Sequence, residues 1–328
     1  MGLSQARIEK HVSQWESEFK KDPSRGYRTK WPKYLFRHER VESAARVLTA
    51  GCLLSRAAAT QYGFTDIAPP EVIGLRDTAH ALVRLYFRPR NPTQFHVEGI
   101  KRAGDFFEGN SSVHAPVLIM FMFKSSSVLE LETTQFSNGN MQRIDARKGN
   151  SEEFFETIPF DRVYHDQAFS PNEKDTILFS RCAEVLAESP LSLSDHLAYV
   201  LCRSEAERRT LLHLAPNLPD ELKKRIRTYS EVGIFQNSHA FMKTVSVGPN
   251  GVTFAIHPRR DGQDVKLAIE IRSVRSADIV ASVVDKMITP SKLWNMKRDL
   301  SEDRYLVAIH IDDQLAYQAI SSVSGQPF

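Results

Sequence analysis

The chain has 328 residues, 41% hydrophobic and 25% charged, with 43 basic against 40 acidic side chains. That is an ordinary globular composition, long enough for more than one core, and a formal charge of +3 permits a nucleic-acid partner without arguing for one. Stretches long and apolar enough to span a membrane are absent, the opening residues carry no apolar signal region, and Cys52, Cys182 and Cys202 are scattered without metal spacing, so a reducing, cytoplasmic setting with neither a disulfide frame nor a zinc site is expected.

Residues 3–21 read as an amphipathic helix, with Ile8, Val12, Trp15 and Phe19 on one face. Pro23, Gly26 and Pro32 break the structure after it. YLFRH then reads as a short strand and VESAARVLTAGCL as a helix stopped by Gly51. A polar loop with a Pro-Pro pair follows, ATQYGFTDIAPPEVIGLRD. TAHALVRLYFRPRNP predicts a strand around Leu82–Phe87 that ends at Pro89 and Pro92. APVLIMFMF is apolar throughout, which predicts a central strand covered on both faces. VLELE is available to extend that sheet, and TTQFSNGNMQ turns at Asn138-Gly139. NSEEFFETIP and FDRVYHDQAF read as helical or irregular.

RCAEVLAES poses the sharpest question. Read as a strand from Ile177 to Leu186, it places Leu178, Ser180, Cys182, Glu184 and Leu186 on one face. Neither face is cleanly polar, so Glu184 falls where a bare carboxylate is costly. It must meet a cation such as Arg181, sit at a cleft, or belong to a site. A strand or helix near Ala198–Cys202 and two helices come next.

From about residue 235 the pattern alternates apolar and polar in AFMKTVSV, GVTFAIHPR, DVKLAIEIRSV, YLVAIHID and LAYQAISSV. Asn250-Gly251, Asp261-Gly262 and Asp312-Asp313 supply hairpin-type turns. This predicts an antiparallel β-sandwich that serves packing or a partner, since nothing in it has catalytic spacing.

Four stretches carry chemistry-bearing side chains. They are YLFRH with Arg37 and His38, AHALVRLYFRPRNP with His80, Tyr86, Arg88, Arg90 and Asn91, the turn TTQFSNGN, and the segment holding Arg181 and Glu184. Each alone is explained by packing or surface charge. The glycine pattern Gly-x-Gly-x-x-Gly is absent, so a Rossmann dehydrogenase is not supported.

In this order the four stretches resemble the DarT family, mono-ADP-ribosyltransferases of toxin–antitoxin systems that modify bases of single-stranded nucleic acid. The resemblance runs over about residues 34–205. HERVESAARVLTAGCLLS is similar to the family's opening strand and helix. AHALVRLYFRPRNP is similar to its His-x-x-Val-x-x-Tyr-Phe-x-Pro-Arg-x-Pro signature, and FSNGN to a Phe-x-Asp-x-Asn turn, with Asn138 where Asp is usual. SRCAEVLAES resembles the motif that holds the catalytic glutamate. The chain departs where the family has a Tyr-His pair, since Phe36-Arg37 stands there with His38 beside it. It departs again in the segment before the signature, where Arg76 is the arginine present.

The resemblance implies an α+β fold. An N-terminal helix (1–30) precedes a split β-sheet core with helices (31–232), and a smaller antiparallel β-rich, sandwich-like domain follows (235–328). It implies NAD as the ADP-ribose donor and no metal. Glu184 would be catalytic, with Arg181 as a second candidate. Arg37 and Arg56 would hold the diphosphate, His38 or Arg37 a ribose, and Tyr86 the nicotinamide ring, with His80 ordering the site. Arg88, Arg90 and Asn91 would line the groove for the strand. The acceptor expected first is thymidine in DNA and next an RNA base. An antitoxin or chaperone would be the protein partner, with the β-rich domain as its place. Two other readings remain at this level: a nucleic-acid-binding module without activity, and a transferase acting on proteins.

Overall fold

The computed structural model describes residues 2–61, 81–110, 114–229, 233–290 and 292–323. The polar loop with Arg76, and His80 after it, lie outside them. The first helix spans Gln5–Lys20, is capped by Ser4, which accepts from the Arg7 N–H, and buries Ile8, His11 and Phe19. A 3-10 stretch over Pro23–Lys33 follows, and Trp31 within it is fully buried.

The strands up to residue 228 are β1 (Tyr34–Arg40), β2 (Cys52–Leu53), β3 (Val83–Tyr86), β4 (Leu118–Lys124), β5 (Gln135–Ser137), β6 (Lys148–Gly149), β7 (Glu184–Ala187), β8 (Leu191–Ser192), β9 (Leu197–Cys202) and β10 (Ile226–Thr228). Eight of them form one mixed sheet in the order β10-β9-β4-β1-β3-β7-β5-β6. β4 has Leu118 to Phe123 buried, the pattern of a strand covered on both faces. It pairs along its whole length with β1, from Tyr34 opposite Lys124 to Arg40 opposite Leu118. β1 and β3, by contrast, meet at one registered pair, Phe36 opposite Tyr86. The sheet is therefore split into two halves joined at a seam where few ladder bonds form.

The helix Val41–Ala50 follows β1 directly and ends at Gly51, whose φ of 70° is the left-handed cap that favours glycine. VLELE does not extend the sheet. Ser125–Leu129 form a helical turn instead, in which the adjacent Val128 and Leu129 are both buried. A strand would send two such neighbours to opposite faces.

The remaining strands are β11 (Phe241–Gly248), β12 (Gly251–His257), β13 (Val265–Ser273), β14 (Ile279–Ile288), β15 (Leu293–Lys297), β16 (Arg304–Ile311) and β17 (Gln314–Ser322). They make a three-stranded sheet, β11-β12-β15, and a four-stranded sheet, β14-β13-β16-β17. Inward residues such as Val252 and Phe254 meet Leu267, Ile269 and Val307 in one hydrophobic cluster, so the two sheets form a sandwich. Asp312-Asp313 closes its hairpin as expected, whereas the turn expected at Asn250-Gly251 is Pro249-Asn250, with Gly251 already paired to Gly248 as the first residue of β12. Asp261-Gly262 closes no hairpin, because the chain there crosses from one sheet to the other.

A buried polar junction ties the sandwich to the split sheet. Arg203 donates to Glu207 and to the Pro116 carbonyl, while Glu98 accepts from the backbone N–H groups of Gln236 and Asn237 at 3.0 and 2.9 Å. Arg203 also lies over the Phe241 ring. Among the described residues, no helix is long and apolar enough to cross a membrane.

Candidate active site

Glu184 is the first residue of β7, not the eighth of a longer strand. The preceding residues form a helix, Lys174–Ser180, with Ile177 and Ser180 three apart and buried. The FSNGN turn explains the junction. A Cβ on Gly139 would fall 2.4 Å from the Phe179 ring, so glycine lets the turn pack against that helix. The Ser137 hydroxyl then accepts the Glu184 backbone N–H at 2.9 Å and donates to the Gly139 carbonyl at 2.8 Å. The turn and the strand start are one unit.

The Glu184 side chain is 1% exposed. Its cation is Arg84 on β3, a residue that the motifs did not single out. Arg84 Nε donates to Oε2 at 2.6 Å and Nη2 to Oε1 at 2.5 Å, a two-point fork. Tyr86 lies directly opposite Glu184 and Arg84 opposite Leu186, so Arg84 reaches the carboxylate on the diagonal of one sheet face. His38 joins from across the seam, its ring stacked on Tyr86 at 5.8 Å and 9°.

Burial sets the charge state of these neighbours. It lowers the His38 pKa to about 3, helped by the Arg37 charge. It pushes Tyr86 up to about 12, with the negative charge of Glu184 adding to it, and Cys182 up to about 12 for the same two reasons. Burial works against the Arg84 charge, but Glu184 outweighs it and holds the guanidinium above its ordinary range. Among the described residues the site thus sets one carboxylate and one guanidinium in direct contact, beside the uncharged Tyr86, Cys182 and His38.

The structure brings Glu184, Tyr86 and His38 together and places the other candidates elsewhere. Strand alternation sends Arg37 to the face opposite His38. There it donates to Glu39 at 2.7 Å, and its Nη1 reaches the Arg84 carbonyl at 3.4 Å across the seam. Of the two residues left open, Arg37 and His38, it is His38 that shares the sheet face of Tyr86 and Glu184. Arg56 begins the short helix Arg56–Gln61 and is half-buried. Arg181 is not the partner of Glu184. Its Nη2 bonds His165 Nδ1 at 2.9 Å and the Gln167 carbonyl at 3.0 Å, and its guanidinium lies over Phe169.

Of the strand-groove candidates, Arg88 lies furthest from solvent. Arg88 is 0% exposed and lies over the Trp31 ring. It donates to the carbonyls of Pro89, Val163 and His165 and, at 2.6 Å, to Asp166. No guanidinium surface is left for a strand. Arg90 donates to the other Asp166 oxygen at 3.0 Å, and Tyr27 adds a third bond at 2.6 Å. Burial opposes the Asp166 charge, but Arg88 and Arg90 prevail and hold its carboxyl below the usual range.

Asn91, 1% exposed, is the N-cap of the helix Pro92–Val97, its Oδ1 accepting the Gln94 N–H at 2.8 Å. Asn91→Ala should therefore lower the free energy of unfolding by about 1 kcal/mol, the usual loss of an N-cap. Strand affinity should not change. Urea titration and oligonucleotide binding of the same sample check both halves.

The sequence carried a signal for Arg84. VRLY places an arginine between Val83 and Leu85, both buried, so a charge on that strand required a partner as much as Glu184 did. Asp166 gave none, because its partners lie up to 139 residues away.

The family model described as ssDNA thymidine ADP-ribosyltransferase, DarT, matches residues 36–232. Among solved structures, Thermus sp. 2.9 DarT in complex with ADP-ribosylated ssDNA is 12% identical. That likeness covers 61% of this chain and 95% of the other, with a TM-score of 0.48. The same protein in complex with NAD+ is 14% identical over 61% of this chain and 96% of the other, at a TM-score of 0.43. Thermosipho africanus DarTG in complex with ADP-ribose is also 14% identical, over 60% of this chain and 49% of that one, again at 0.43. No curated protein matches. Because the matched residues make up well over half of the sequence and hold β1, β3 and β7 with Glu184, the chain belongs to the DarT family of NAD-dependent ADP-ribosyltransferases.

Proposed function

We propose that this transferase moves ADP-ribose from NAD onto a base nitrogen of single-stranded nucleic acid, with thymidine in DNA as its first acceptor. The observation that carries the reading is Glu184, a buried carboxylate one strand from the β1–β3 seam, opposite Tyr86 and held by the Arg84 fork with little water around it. In the reaction the bond from the ribose anomeric carbon to nicotinamide breaks, and its electron pair leaves with the nicotinamide nitrogen. The ribose takes on oxocarbenium character, as in glycoside cleavage. A carboxylate fixed beside it stabilises the growing positive charge and accepts from the ribose hydroxyls. The base nitrogen supplies the pair for the new bond and gives up its proton to the Glu184 carboxylate. His38 and Tyr86, uncharged and stacked, form the wall on which the nicotinamide end would rest.

A base is reachable in a single strand without the cost of unstacking a duplex, which supports an unpaired acceptor. The family description supports thymidine in DNA. A transferase that marks its own cell's nucleic acid requires restraint, so a neutralising protein partner belongs to this proposal.

The test is incubation of the purified chain with NAD labelled in its adenylate part, and matched DNA and RNA oligonucleotides. The expected result is label on single-stranded DNA that contains thymidine. Label on RNA alone would move the acceptor, and label confined to protein would overturn base modification.

A further inference from the structure

We infer that Arg84 is the positioning residue of the transfer, setting the plane and the charge of the Glu184 carboxylate. The inference rests on the transferase reading above. Arg84 stands at an unspecified place in the Val-x-x-Tyr-Phe stretch, so the resemblance assigns it nothing.

Three features carry it. First, the contact has two points: both carboxylate oxygens accept from one guanidinium, at 2.6 and 2.5 Å, which fixes the plane of the carboxylate as well as its place. Each ionised oxygen has two acceptor sites, so one on each remains for a ribose hydroxyl. Second, the backbone of Glu184 is held independently, by the Ser137 hydroxyl. Only the side-chain torsions are left to set, and Arg84 sets them. Third, among the described residues the other groups facing the carboxylate supply no positive charge. Tyr86 and Cys182 are neutral donors pushed up by burial, His38 is uncharged, and Arg181 is committed to His165 and Gln167. A carboxylate that is 1% exposed with no cation beside it would not persist as an anion.

A lysine keeps the charge but binds at one point, so Arg84→Lys separates positioning from mere neutralisation. The purified full-length chain is assayed with labelled NAD and the oligonucleotide it modifies. Arg84→Lys should lower kcat by about 10- to 100-fold, within the range of losing one preorganised contact. KM for NAD should stay within about threefold, since an interaction acting on the transition state changes kcat and leaves ground-state binding alone. Arg84→Gln should fall further, and millimolar guanidinium should restore part of the activity of Arg84→Ala.

The closing control is a double-mutant cycle. In a Glu184→Gln background, Arg84→Lys should cause no further loss, because Arg84 acts through Glu184. A wild-type kcat in Arg84→Lys overturns the inference, and so does a rise in KM with kcat unchanged. Should the Gln and Ala variants fail to fold, the Lys variant, which keeps the charge, still decides. An inactive wild type would instead sink the transferase reading, whereas an active wild type with active variants sinks only the role of Arg84.

Discussion

Glu184→Gln should reduce the kcat of ADP-ribosyl transfer by about a thousandfold, the upper end of what one preorganised electrostatic contact contributes. The exchange keeps the shape of the side chain and removes its charge, so it tests chemistry and not volume. Glu184 is 1% exposed, and the low dielectric around it is what makes a single charge worth this much. Stability should change far less. Losing the anion leaves Arg84 without its counter-charge, yet Arg84 keeps 20% of its side-chain surface exposed, so water can solvate it. A cost of about 1–3 kcal/mol is expected, that of one unsatisfied polar group. Single-turnover transfer from labelled NAD, read beside a thermal melt, measures both. A folded variant within tenfold of the native rate would show that Glu184 is not the catalytic carboxylate.

Elements set by local pattern are legible in the amino-acid sequence alone. β13 alternates through Val265, Leu267, Ile269 and Ile271, all buried, and β4 is apolar along its length because neighbours cover both faces. Gly51 stops its helix for a reason visible in one residue. β14 escapes because its pattern does not alternate. Val284 and Met287 point outward, and register shifts interrupt the pairing of β14 with β13.

The site is legible at single positions and illegible in its pairings. Glu184 announces itself as a charge in an apolar run, but its strand begins later than the run suggests. The Ile177–Ser180 run suits one helical face as well as it suits a strand, and only the packing of Phe179 on Gly139 decides between them. Whether Arg37 or His38 shares the face of Glu184 is a question of strand parity, which depends on which residue of β1 meets β3. The Arg84–Glu184 fork links residues 100 apart, and no local rule predicts such a contact.

Arg88 shows why a basic cluster in sequence is weak evidence for a nucleic-acid groove, and its replacement carries the second large expectation. Arg88→Ala should lower the stability of the chain by about 3–5 kcal/mol, the usual cost of breaking a buried ion pair from one side. Its guanidinium is fully enclosed, with three carbonyls and one carboxylate as acceptors and Trp31 beneath it at 4.7 Å. Removing it strips donors from buried oxygens and leaves Asp166 to Arg90 and Tyr27. Arg88→Lys should recover little, because an ammonium cannot reproduce the planar set of bonds or lie flat on an indole. In a chain of this size the loss should lower the melting midpoint by roughly 10 °C. Oligonucleotide binding by the fraction still folded, and its dependence on salt, should match the native protein, since a residue that contacts no phosphate releases no counterion. The opposite outcome, a native melt with weakened binding and a shallower salt dependence, would return Arg88 to the strand. It would also mean that the Asp166 cluster opens when nucleic acid binds.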